Sequence, residues 1–461
     1  MLRDWREMSA QPAYVALADR IRLLILDGRI PLGTRIPAER DLAAQLGISR
    51  TTVSASYAEL REAGFLDSLR GSGSVARLPH RAPIALDTSS AGYLDFSKAA
   101  LPAIPAVAEA ARAAAAELPA HLGDDGFDLI GIISLRQALA DRYTARGLAT
   151  EPEQIMVTIG AQNAIALLAR TLLSRGDSAL VESPSYPHAY EALRATGARL
   201  VPVSVTTEEG WDEAALEQAL QRSSPALGYL MPDFHNPTGR TMSVELRQKL
   251  LALAERQGTT IIADETMAEL VIDRADSPLP LAGYGPAVLI GSVGKTVWGG
   301  VRVGWIRAER QLIQRLVRAR STTDLGTPAL EQLVVKNLLP QMDDILAVRR
   351  EQLRSGRDYL EMSIAQAFPE WRVPHVNGGL TAWINLGAPV SSQLTLAART
   401  EGLLLAAGPR FGIDGAFERF LRVPFGYSTE ETDRAIVSLR AAWDSISRGA
   451  FIEQGFLADV V

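Results

Sequence analysis

At 461 residues, 47% apolar and 22% charged, the chain is too long for one ordinary core and has the make-up of a globular protein with two or three domains. It has no cysteine, which excludes disulfides and thiolate metal sites, and its five histidines show no metal-ligand spacing, so no metal is expected. The net charge of −6 divides into a mildly basic head, with eleven Arg against nine Asp and Glu in residues 1–80, and an acidic body, a division compatible with nucleic-acid contact by the head.

Met1–Glu7 shows no apolar leader, and no apolar run reaches the roughly 18 residues of a membrane span, so a cytoplasmic protein is expected. Residues 13–27 read as an amphipathic helix with Tyr14, Leu17, Ile21, Leu24 and Ile25 on one face and Gly28 as its stop. Pro37 opens a short second helix that Gly47 closes, and Ser49 is the N-cap of a third, with Val53, Tyr57 and Leu60 inward and Gly64 at its end. Phe65–Leu69 and Ser74–Leu78 flank the glycine turn Arg70–Gly73 as a hairpin. Helix, helix, turn, helix, hairpin is a winged helix-turn-helix, assigned to 1–78. Residues 79–92 turn to Pro, Ala, Ser and Thr without period and read as a linker that reaches at most about 45 Å.

From residue 93 the pattern alternates. Apolar runs at 155–159, 179–182, 200–205, 227–231, 259–263, 288–291 and 301–306 are separated by helical stretches such as 162–173 and 243–256. The expected fold class is α/β, with a mostly parallel sheet covered on both faces. Residues from about 340 to 447 read as a smaller α+β unit whose last helix opens on a capping box, Ser428 to Glu431. No element is assigned to 448–461.

In the head, the outward face of the third helix offers Ser49, Arg50, Thr51, Thr52 and Ser54, and Arg40 stands on the helix before it. Hydroxyls and guanidinium groups at a helix start suit phosphates and base edges, and Gly71 and Gly73 let the wing tip approach the minor groove closely. Gly33–Val53 closely resembles the head of GntR-family bacterial regulators, over residues 13–77. The resemblance implies DNA contacts at Arg40, Arg50, Thr51, Thr52 and the wing glycine. Several relatives have Arg where this chain has Ser54.

In the body, Gly160-Ala161-Gln162 lies where a strand gives way to a helix, so free N–H groups and the helix dipole face a phosphate. Tyr186 follows a strand and can stack on a flat ring. Asn236-Pro237-Thr238-Gly239 follows another strand, and Asp264 is a lone carboxylate behind a buried run, a costly arrangement unless a cation pairs with it. Ser292-Val293-Gly294-Lys295, with Arg302 seven residues on, sets an amine beside small residues and phosphate-binding groups; only Lys98, Lys249 and Lys336 are lysines elsewhere.

Taken in order, these motifs resemble fold-type I, class I/II aminotransferases over about 93–446, and with the head they resemble the MocR-type branch of the GntR regulators. That resemblance implies an aminotransferase-like fold at 93–447 that binds pyridoxal 5′-phosphate. Lys295 is then the Schiff-base (internal aldimine) residue, Asp264 the partner of the pyridine nitrogen, Asn236 that of the ring hydroxyl, and Tyr186 the stacking residue. Gly160, Ala161, Gln162, Ser292 and Arg302 form the phosphate site, and Arg422 grips an effector carboxylate. It also implies a head-to-tail homodimer reading a double-stranded operator with repeated half-sites. Three departures count against efficient transamination. The tyrosine expected shortly after the acid is replaced by the run Glu265, Thr266, Met267, with Thr266 the donor left to the ring hydroxyl. Phe127 stands where a partner subunit often supplies a tyrosine, and Pro187-His188 where one type of regulator has an arginine. The expectation is a regulator that senses an amine, amino acid or B6 vitamer; the alternatives are a working aminotransferase with a DNA-binding head and a plain sensor of the cofactor.

Overall fold

The computed structural model describes residues 12–26, 30, 35–69, 73–77, 92–123, 125–274, 278–413 and 415–447. Three helices, α1 (Ala13–Leu26), α2 (Glu39–Leu46) and α3 (Arg50–Glu62), precede a hairpin of β1 (Leu66–Leu69) and β2 (Gly73–Ala76). Apolar residues recur at helical spacing, so Leu17, Ile21, Leu42, Val53, Tyr57 and Leu60 meet in one small core closed by Phe65 and Ala76. Gly47 ends α2 with φ 64°, which favours a residue without Cβ, and Ser49 starts α3 by accepting the Thr52 N–H at 3.1 Å. Of the segment read as a linker only Gly92 is among the described residues; Gly28, read as a helix stop, and residues 448–461 lie outside them.

The body opens with β3 (Leu94–Asp95), α4 (Ala106–Glu117), α5 (Ile133–Ala145), β4 (Ile155–Thr158), α6 (Ala161–Leu172), β5 (Ser178–Ser183) and α7 (Pro187–Ala195). It continues through β6 (Arg199–Thr206), β7 (Gly210–Trp211), α8 (Glu213–Ser223), β8 (Leu227–Leu230), α9 (Val244–Gln257), β9 (Thr260–Asp264), β10 (Val288–Ser292) and β11 (Gly304–Arg307). One sheet results, in the order β4-β11-β10-β9-β8-β5-β6-β7. Its middle strands, β10, β9, β8, β5 and β6, are parallel. Period-two alternation sends Met156, Tyr229, Ile262 and Ile290 into one apolar core and Val157, Leu230, Ala263 and Leu289 into another. β11 runs antiparallel to β10 and β4, because Val293–Val303 contains no crossover helix and the chain turns straight back.

The remainder comprises α10 (Arg310–Arg320), α11 (Ala329–Leu338), the long α12 (Met342–Ala367), β12 (Thr381–Asn385), α13 (Ser391–Thr400), β13 (Leu403–Leu404), β14 (Ala406–Ala407), β15 (Phe420–Pro424) and α14 (Thr429–Ser447). β12, β15 and β14 form a small sheet, while β13 pairs in parallel with β3 and so ties the start of the body to its C-terminal part. α14 starts on a reciprocal cap: Glu431 N–H donates to Ser428 Oγ at 3.2 Å, and Ser428 N–H to Glu431 Oε2 at 2.9 Å. No described helix is long and apolar enough to cross a membrane.

Candidate functional site

β4, β5, β8, β9 and β10 all point the same way, so the residues just past their C-terminal ends gather along one edge of the sheet, where open α/β sheets take ligands. Gly160, Tyr186, Asn236, Asp264, Ser292 and Lys295 all lie there, and β15 of the small sheet adds Arg422. Gly160 caps α6 at φ 78°. A Cβ there would sit 2.9 Å from Arg302 Nη2, and one on Gly304 would sit 2.9 Å from Ala161 N. These close approaches bring a guanidinium against the N–H end of α6, a positive cup suited to a phosphate. Arg302 donates to the Ile159 and Gly299 carbonyls at 3.4 Å each, Ser292 Oγ donates to Val303 O at 3.0 Å, and Gln162 Nε2 donates to His188 O at 3.2 Å.

Lys295 is half-buried, with its ammonium packed among protein atoms and donating to Ala99 O at 2.7 Å. Burial, and next the positive charge of Arg422, push it down to about 8, while Asp264 pulls the other way. Arg422 is buried, lies 5.0 Å above the Phe411 ring and donates to Ser97 O; burial brings it down to about 10. Tyr186 caps α7 and is pushed up to about 12, by burial first and by Asp264 second. The Asp264 carboxylate accepts the Thr266 N–H at 3.0 Å and its hydroxyl at 2.7 Å, both on Oδ1, so Thr266 makes its bond to the acid. Several buried polar atoms in this region lack a hydrogen-bond partner: Asn236 Oδ1, Gln162 Oε1, Ser185 Oγ and Arg422 Nε. Buried polar groups are ordinarily paired, so a polar ligand at this edge would satisfy atoms that the chain leaves open.

Two features were not singled out from the sequence. Tyr229 on β8 donates its hydroxyl to Asp264 Oδ2 at 2.6 Å; a tyrosine inside the otherwise apolar run Leu227–Leu230 was the available signal. The other is the strap Leu94–Pro102, whose Ser97 and Ala99 carbonyls hold Arg422 and Lys295. Backbone acceptors leave no trace in side-chain identity. The strap is anchored by Phe96 stacked 3.9 Å from the Tyr427 ring, by Tyr427 Oη donating to Asp95 O, and by Arg349 donating to Pro102 O at 2.6 Å. Of the three departures, Met267 is buried at 3% exposure, Phe127 stands 66% exposed, and His188 Nδ1 lies 2.8 Å from Glu191 Oε2.

In the head, Arg40 and Arg50 keep 87% and 72% of their side-chain surface exposed, with carboxylates no nearer than 3.8 Å in the ion pairs they form, so both guanidinium groups remain available. Ser49 Oγ lies 2.8 Å from the Thr51 hydroxyl and 2.7 Å from that of Thr52, which groups three hydroxyls at the start of α3. Gly73 is the first residue of β2, and Gly71 lies outside the described residues.

Fold and site together are those of a regulator head joined to an aminotransferase body. The chain belongs to the aminotransferase class I and II family, which matches residues 89–439, and residues 13–75 match the bacterial regulatory proteins of the gntR family. It is 31% identical to the 2-aminoadipate transaminase of Thermus thermophilus over 61% of this chain and 73% of that protein. It is 27% identical to the HTH-type transcriptional regulator YdcR of Escherichia coli (92% and 97% covered) and 26% to YdfD of Bacillus subtilis (94% and 97%). Among solved structures, the T. thermophilus α-aminoadipate aminotransferase complexed with N-(5′-phosphopyridoxyl)-L-leucine aligns with TM-score 0.71 and 29% identity over 77% of this chain and 93% of that one. The two regulators, like this chain, are matched along nearly their whole length, and the gntR-family match places a helix-turn-helix regulator module at the head.

Proposed function

We propose that this chain is a MocR-type transcriptional regulator whose body binds pyridoxal 5′-phosphate and senses an amine, amino acid or B6 vitamer, and whose head binds an operator. One observation carries the reading: the Lys295 ammonium, donating to Ala99 O at 2.7 Å, and the Arg422 guanidinium, donating to Ser97 O, meet one short strap at the sheet edge where Gly160, Asp264 and Ser292 also lie. The residues fit the cofactor. Arg302, Ser292 and the Gly160–Gln162 turn suit its phosphate, Asp264 suits the ring nitrogen, the Asn236 amide, whose Oδ1 has no partner, suits the ring hydroxyl, and Tyr186 suits the ring face. When bound, the cofactor supplies an aldehyde that exchanges between Lys295 and a free amine. The chain's own part is to keep the Lys295 amine available, to fix the ring by its nitrogen and phosphate, and to offer Arg422 to a carboxylate.

The strap supports coupling to the head. Its carbonyls satisfy the same two cations that cofactor and effector require, and it runs directly from the segment leading out of the head. An association surface for the homodimer is supported by exposed Phe127 and Leu325, on loops that meet where Gly326 packs against Asp128. A second reading, a working aminotransferase, is favoured by the T. thermophilus transaminase relative; apolar, buried Met267 after the acid weighs against it.

The test is spectroscopic. With Lys295→Ala, the visible absorbance of the cofactor-loaded chain is expected to vanish while the head still binds its operator. An undiminished band removes Lys295 from its role. Steady turnover of an amino acid with a keto acid establishes the enzyme instead.

A further inference from the structure

The acid expected to face the cofactor's ring nitrogen is itself backed by a second acid group. β8 and β9 pair in parallel with Tyr229 opposite Ile262, so Tyr229, Ile262 and Asp264 lie on the same face of the sheet. Two residues along a strand span about 6.6 Å, a distance that the long phenol side chain covers. Its hydroxyl donates to Asp264 Oδ2 at 2.6 Å, in the range of a charge-assisted O–H···O⁻ bond. Tyr229 is 1% exposed and Asp264 3%. Thr266 puts two donors on Oδ1, so a carboxylate with about four acceptor positions keeps one open on Oδ2.

We propose that Tyr229 is a positioning residue: its hydroxyl keeps the charge on Asp264 and thereby keeps the shared proton on the nitrogen of the pyridine ring. The inference rests on the cofactor reading above and concerns what this chain does to that group. With the cofactor bound, one proton would be shared between the Asp264 carboxyl group and the ring nitrogen. With the proton on oxygen, the pair is a neutral acid and a neutral pyridine; with the proton on nitrogen, it is a carboxylate and a positively charged ring. A donor on Oδ2 stabilises the carboxylate and so favours the second arrangement. Burial, then Asp264 itself, push the Tyr229 phenol well above its ordinary value, so it remains a donor and does not become a rival anion. Donors to charged groups alter such a balance by about ten- to a hundredfold. Tyr229 therefore sets how strongly the bound ring draws electrons, without touching the ring's reactive side.

The experiment is the ¹⁵N chemical shift of ring-labelled pyridoxal phosphate bound to the full chain, near neutral pH, in the unsubstituted protein and in Tyr229→Phe. Asp264→Asn supplies the reference for a neutral ring. The unsubstituted chain is expected to place the nitrogen in the protonated range, and Tyr229→Phe to move it toward the neutral one, with the cofactor still bound by its visible absorbance. A neutral nitrogen in the unsubstituted chain overturns the proposal with no variant needed. The same shift in both loaded proteins overturns it while the cofactor reading stands. A chain that takes up no cofactor overturns both.

Discussion

A lysine that captures an aldehyde must present a neutral amine, and the surroundings of Lys295 act on that requirement directly. Burial is the larger influence and Arg422 the next; Asp264, at the end of the neighbouring strand, opposes them but does not cancel them. The sign follows from charge. Desolvation and a neighbouring cation both disfavour the ammonium, so the group loses its proton at lower pH than an exposed lysine. With a value near 8 in place of 10.5, a larger share of the chains holds a free amine near neutral pH than an ordinary lysine would provide. The rate of cofactor uptake, followed by the growth of visible absorbance, is expected to climb through pH 8 and then level off. A rate still rising steeply between pH 9 and 10 shows that the amine is unperturbed. Arg422, brought down to about 10, is still cationic at pH 8 and remains available there to a carboxylate.

At the scale of elements, α3 is where residues become a reading head. Ser49 both caps the helix and groups the hydroxyls of Thr51 and Thr52 at its exposed start, beside the exposed Arg50. Arg50→Ala is expected to weaken operator binding by roughly 1–3 kcal/mol in an electrophoretic or fluorescence titration if the guanidinium reads a base. Equal loss on operator and random DNA assigns it to a phosphate. The elements legible in the sequence were those with a local cause. α1, α2 and α3 announced themselves by helical period and by Ser49 and Gly47, and α14 by its capping box. The strands β4, β5, β8, β9 and β10 appeared as apolar runs because both faces of the sheet are covered. The reversed direction of β11 was not legible, since an apolar run carries no orientation, and the expected run from Val301 began three residues before the strand at Gly304. In the site, the motif residues were legible because each needs a particular side chain. The packing of Gly304 against Ala161 N and the hydroxyl of Tyr229 on Asp264 depend on which strands are neighbours, and strand order is written in no local segment.

At the scale of the whole molecule, an effector that changes DNA binding must favour one arrangement of the chain over another. The strap Leu94–Pro102 is where such a preference can act. At its start, Leu94 N–H donates to Gly402 O at 2.8 Å and Phe96 N–H to Leu404 O at 2.9 Å, so β3 is fixed to the C-terminal part; further along, the strap holds Lys295 and Arg422 through carbonyls. On the proposed reading, a cofactor held at Lys295 would withdraw the first of these cations, and an effector carboxylate at Arg422 would withdraw the second. Each bond to a charged donor contributes about 1.5–3 kcal/mol, comparable with the roughly 1–3 kcal/mol typical of coupling between sites. Amide hydrogen exchange over residues 94–101 is therefore expected to quicken in two steps, on cofactor and then on a carboxylate-bearing amine, with operator affinity changing at the second. An amine lacking a carboxylate is expected to produce the first step alone. Exchange that stays constant across all states while operator affinity changes removes the strap from the route.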